Sequence, residues 1–102
     1  MHKAAGRDAE HVAVTFVVDP SVGASAACVC GDFNGWATME NDMKPTEDGG
    51  FMLVVELPVG QRFAFRYLID GERWVNDSAA DAYVPNPYGG HNSVVDTSIT
   101  DA

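Results

Sequence analysis

Residues 62–75 read RFAFRYLIDGERWV. Phe63, Phe65, Tyr67 and Ile69 fall on one side of a period-two pattern, with Arg62, Ala64, Arg66 and Leu68 on the other. Such alternation marks a half-buried strand, because successive side chains point to opposite faces of a sheet. Asp70-Gly71 is a hairpin signal, and Arg73 to Val75 returns as a short strand. Loop length decides where Trp74 points. A two-residue loop, Asp70-Gly71, pairs Trp74 with Tyr67 and turns it inward. A three-residue loop, Asp70-Gly71-Glu72, pairs it with Leu68 and puts it on the Arg66 face. The stretch by itself leaves both open.

The same alternation recurs outward from this hairpin. Val12, Val14, Phe16 and Val18 share one face of a strand that starts at His11 and stops at Asp19-Pro20. Ala26, Cys28 and Cys30 alternate with Ala27 and Val29. Phe51, Leu53, Val55 and Leu57 line one face of another strand, and Asn92 to Ile99 gives the last. Between these, Met39 to Gly50 reads as a polar loop, and Asp77 to Gly90 as a long ordered loop. Residues 1–10 read as a flexible tail, and residues 11–102 as a single binding domain. No window has useful helical periodicity. Short strands separated by turn signals predict an all-β, antiparallel β-sandwich.

Composition narrows the function. The chain has 102 residues, fifteen acids against six bases, and a net charge of −9. It lacks the basic footprint of a nucleic-acid binder, and an anionic membrane surface would repel it. No apolar run is long enough to span a bilayer. The polar stretch Met1–Glu10 has no apolar signal-peptide core, so a cytoplasmic location is expected. The hydrophobic fraction, 46%, fits a folded globule.

Catalytic patterns are scarce. There is no G-x-S-x-G elbow and no glycine-rich loop opening a helix. His91 reads as a loop histidine, and the many carboxylates as a solvated surface. Cys28 and Cys30 share a strand face and read as two small buried thiols. The histidines lack zinc spacing, so no metal or cofactor is expected. Placement of the two tryptophans is more informative. Trp36 and Trp74 lie in or beside turns. They either plug the ends of the sandwich or offer flat faces on which the C–H surfaces of sugar rings can stack.

Three stretches and a tryptophan occur in order: VCGDFNGW (29–36), FRYLIDG (65–71), Trp74, and GGHNSVV (89–95). Together they resemble the carbohydrate-binding modules of family 48. That family includes the glycogen-binding domain of the AMP-activated protein kinase beta subunit and the early-set domains of isoamylases and branching enzymes. The resemblance covers roughly residues 11–99. With Asn76-Asp77 and Tyr83–Asn86 the compact form looks most like small bacterial proteins made of this domain alone. The resemblance implies an immunoglobulin-like early-set sandwich that binds α-1,4-glucans without hydrolysis, with an α-glucan polysaccharide or oligosaccharide as ligand and a separate glucan-metabolising enzyme as a further partner. Carried over by position, the sugar site comprises Trp36, Arg66, Trp74, Tyr88 and Asn92. Arg66 stands where the family has a lysine, and Gly90 where it has a hydroxyl residue. The hairpin is one residue longer, which agrees with the loop that brings Trp74 onto the Arg66 face. A rival reading is an interaction module that meets another chain through its acidic surface or an open sheet edge, without binding sugar itself.

Overall fold

Residues 1–38 and 40–98 are described by a computed structural model. The strands are β1 (His2–Ala5), β2 (His11–Val18), β3 (Ala27–Gly31), β4 (Lys44–Pro45), β5 (Phe51–Pro58), β6 (Arg62–Ile69), β7 (Arg73–Val75), β8 (Ala82–Pro85) and β9 (His91–Asp96). One sheet has the order β1-β2-β5-β4. The other runs β3-β6-β9-β8, with β7 continuing the β9 side of β6. All pairings are antiparallel. The sheets pack as an immunoglobulin-like β-sandwich, and no helix among the described residues is long and apolar enough to cross a membrane.

The alternation on β6 sets the core. Phe63, Phe65, Tyr67 and Ile69 all point between the sheets and are buried. Opposite them, Val12, Val14, Phe16 and Val18 come from β2, with Phe51 and Leu57 from β5. The Phe16 ring meets Phe65 edge-on at 5.0 Å and Tyr67 at 6.4 Å. Burying each of these side chains contributes about 1.5–3 kcal/mol. A slip of one residue along β6 would drive Arg66 into this space, so the register is tightly specified.

The Tyr67 hydroxyl enters the core with its partners in place. It donates to the Asp77 carboxylate at 2.5 Å and accepts from Val17 N–H at 3.3 Å. Burial, then the charge of Asp77, pushes this hydroxyl far above the ordinary tyrosine range, so it remains a donor.

Several expectations need correction. The tail expected over residues 1–10 contains β1, which pairs with β2 from His2↔Thr15 to Ala5↔Val12. Its sequence, HKAA, is too short and polar to alternate visibly. It is held by Lys3, which points inward and donates to both Asp81 carboxylate oxygens at 2.7 Å. An inward charge of this kind also blunts a sheet edge. The loop expected over 77–90 contains β8, an edge strand short enough to carry Pro85. The loop expected from Met39 includes β4, and Met39 itself lies outside the described residues. The last strand ends at Asp96, followed by a turn at Thr97-Ser98, and Ile99 also lies outside the described residues.

The Lys3–Asp81 pair ties β1 of one sheet to the segment entering β8 of the other. Asp81 also accepts from Asp96 N–H at 2.8 Å. Asp81→Ala would remove the carboxylate to which the buried Lys3 ammonium donates twice and should cost up to about 3–5 kcal/mol. Urea unfolding measures this. A loss below about 1 kcal/mol, the range of an exposed pair, would show that the clamp does not hold β1.

Candidate functional site

The outer face of the β3-β6-β7 ribbon is fixed by the register that fills the core. Across it, Cys28 pairs with Leu68 and Leu68 with Trp74, while Cys30 pairs with Arg66. The hairpin therefore has the three-residue loop Asp70-Gly71-Glu72, and Trp74 shares a face with Arg66. Gly71 takes φ +72°, and Asp70 a left-handed φ of +55°. Asp70 is held there because its carboxylate accepts from Ser25 and Ala26 N–H at 2.8 and 2.9 Å, stapling the hairpin to the start of β3.

Trp36 arrives from the loop after β3. Gly31, the last residue of that strand, passes so close to β6 that a Cβ there would sit 2.5 Å from the Ala64 carbonyl oxygen. A 3-10 turn over Asp32–Asn34 follows. Phe33 drops into the core and stacks on Phe16 at 5.5 Å. The Asn34 side chain accepts from Gly31 N–H and donates to the Val29 carbonyl and to Asn41. Gly35 and Trp36 both have positive φ, +64° and +61°. That conformation costs a bulky residue on the order of 1–3 kcal/mol and persists only where surroundings enforce it. Here the Trp36 backbone N–H donates to the Gly31 carbonyl at 2.9 Å, and its indole N–H to Asp32 at 3.0 Å.

The Trp36 ring rests on a small apolar floor of Cys28, Cys30 and Leu68. Its centroid lies 6.4 Å from that of Trp74, with 61° between the planes. Trp74 is 40% exposed. The two thiols are free and buried, with sulfurs 3.7 Å apart, and Cys28 donates to the Thr38 carbonyl.

The third contributor is the loop joining β8 to β9. Asn86 accepts from Tyr88 and Gly90 N–H at 2.9 and 3.1 Å, and its backbone N–H donates to the Gly90 carbonyl at 2.8 Å. This closed turn projects Tyr88 outward, 94% exposed. Asn92, on β9, receives a long 3.4 Å contact from the Asn86 amide.

These three segments enclose one groove of about 660 Å³. Trp36, Arg66, Trp74, Tyr88 and Asn92 all line it, so every residue singled out in the sequence lies at the same place. Asp32, Asn86 and Pro87 line it as well and were not singled out. Of these, Asn86 has a signal in the sequence, the Asx-turn chemistry of YVPN, since asparagine braces turns through its side chain. The Arg66 Nε is buried and has no hydrogen-bond partner among the described residues. The groove thus offers two flat indoles, an exposed phenol, a planar set of cationic donors and an amide.

A search of curated proteins gave no match. The family model for the glycogen recognition site of AMP-activated protein kinase matches residues 13–102, which takes in every strand after β1 except the first two residues of β2.

The apolar floor has a measurable signature. Burial, then the neighbouring Cys28 thiol, pushes Cys30 up to about 12. Unfolded cysteine titrates near ~8.5. The protonated native thiol therefore contributes stability that is complete below about pH 8.5 and is lost as pH rises toward about 12. At pH 8 a thiol reagent should label native Cys30 more than about a hundredfold slower than the urea-unfolded chain. Equal rates would mean that the Trp36 floor is open to water.

Proposed function

The chain belongs to the family of the glycogen recognition site of AMP-activated protein kinase, and from that membership we propose that it binds α-1,4-glucans, such as glycogen and maltooligosaccharides, without cleaving them. The observation that carries this reading is the convergence of Trp36, Trp74, Arg66, Tyr88 and Asn92 on one groove.

Each side chain has a task that its chemistry suits. A glucose ring presents an apolar C–H face and a polar rim. The indoles of Trp36 and Trp74, tilted by 61°, face consecutive rings of a curved chain better than a straight one. Arg66 supplies hydroxyl-directed donors in a fixed planar fork, where a lysine would offer a compact point charge. Asn92 both donates and accepts, matching hydroxyls that do the same. Tyr88, standing free at the rim, packs against the inner side of the glucan curve. The net charge of −9 is no obstacle, because the ligand is neutral.

A non-catalytic role agrees with the carboxylates. Glycoside hydrolysis ordinarily uses a pair of them across the scissile bond. Asp32 is the one carboxylate among the described residues lining the groove, and both its oxygens accept N–H groups. Affinity should be modest, since water competes for every hydroxyl bond.

Titration with β-cyclodextrin or maltoheptaose, followed by calorimetry, tests the reading. Wild type should bind saturably, and Trp74→Ala should weaken binding by about tenfold or more, the scale of removing an aromatic anchor. Absence of binding at millimolar sugar, equal binding by the variant, or release of reducing ends would overturn it.

A further inference from the structure

Asp32 occupies an unusual position in this site. Its carboxylate is bridged between two elements: Oδ1 accepts the Trp36 indole N–H at 3.0 Å, and Oδ2 accepts the Ala64 backbone N–H of β6 at 2.9 Å. Ala64 lies two residues from Arg66 on the same face of the same strand. A single carboxylate thus fixes the distance and tilt between one indole platform and the strand that carries the groove's cation.

We propose that Asp32 is a positioning residue for glucan recognition, acting through the Trp36 indole N–H to hold that ring as a rigid stacking surface. The inference rests on the glucan-binding reading for its functional consequence, though not for its structural content. Two features make the bond matter. Trp36 sits in a left-handed backbone conformation that is unfavourable for a bulky residue, so its ring needs an anchor beyond the backbone. Hydrogen bonds to a charged acceptor are also about twice as strong as neutral ones. The bond has a second effect on recognition. With its N–H committed to Asp32, Trp36 contributes a face and no donor. The Trp74 indole N–H has no hydrogen bond to a described residue and is left to meet a sugar hydroxyl. The two tryptophans therefore have different tasks, one a fixed platform and the other a platform with a donor.

Asp32→Asn, Trp36→Phe and the double variant test this. Two N–H donors converge on Asp32, one on each oxygen; the Ala64 N–H is fixed in β6, so an asparagine should keep its one oxygen there and turn its amide NH2, which cannot accept, toward the Trp36 indole. The readout without ligand is the circular-dichroism couplet of the paired indoles, which reports their mutual angle. Asp32→Asn should diminish that couplet, and the Trp36 indole N–H resonance should move upfield while that of Trp74 stays. With β-cyclodextrin, Asp32→Asn should weaken binding by about tenfold, the loss of one charge-assisted hydrogen bond. In the Trp36→Phe background, which keeps a ring and lacks the N–H, the same substitution should change affinity by less than about twofold. An equal penalty in both backgrounds, or an unchanged couplet and indole resonance, would overturn the proposal. If Asp32→Asn fails to fold, Trp36→Phe with Asp32 intact still decides it: an unaltered affinity there contradicts the role assigned to the N–H. If wild type binds no glucan, the glucan reading fails, while the couplet and the resonance still decide whether Asp32 orients Trp36.

Discussion

On β6, each apolar side chain that enters the core sends its neighbour to the outer face. Phe63, Phe65, Tyr67 and Ile69 fill the space between the sheets, and Arg66 and Leu68 are turned outward as a consequence. The interior aromatic packing, with Phe16 at 5.0 Å from Phe65, enforces that register. The groove inherits it. Cys28, Leu68 and Trp74 form one row across three strands, and Cys30 and Arg66 begin the next. Core and groove are two sides of the same pleat, so a residue deep in the core can misplace the groove without touching it.

Loops complete what the strands begin, and they do so through polar side chains. Asp70 braces the hairpin against β3, Asn34 closes the turn after β3, Asp32 holds Trp36, and Asn86 shapes the turn that presents Tyr88. Each of these accepts backbone or indole N–H groups, which places a fixed acceptor where a free loop would sample many conformations. The cost of ordering the site is thereby met in the unliganded protein, the condition under which a shallow surface can bind a flexible sugar at all.

Much of this was legible in the sequence, for reasons that can be named. β2, β5 and β6 alternate cleanly because each has one face in the core and one outside it, and the period of two survives in the residue order. β1 and β8 do not alternate. The first is held by a part-buried Lys3–Asp81 pair whose partners are 78 residues apart, and the second is an edge strand ending in proline. Nothing local announces either. Five of the side chains lining the groove follow from the family resemblance, carried over by position, whereas the hairpin stretch by itself leaves two loop lengths open and the pairing of Leu68 with Trp74 decides between them. The role of Asp32 is not written in its neighbours along the chain, because it depends on β6 passing close to Gly31, a contact between residues distant in sequence. The left-handed conformation of Trp36 runs against the preference of a large side chain and could be found only in three dimensions.

The central claim is that one face of one sheet, the groove beside β6, recognises a glucan. Amide and side-chain ¹H–¹⁵N spectra recorded during a maltoheptaose titration address it most directly. The account predicts that the indole N–H signals of Trp36 and Trp74, the Arg66 Nε–H and the Asn92 side-chain amide move together along one saturating curve. Signals from the outer face of the other sheet, such as Val17, Met52 and Val54, should stay in place. Shifts centred on that opposite face, or groove signals that remain fixed while sugar binds, would contradict it.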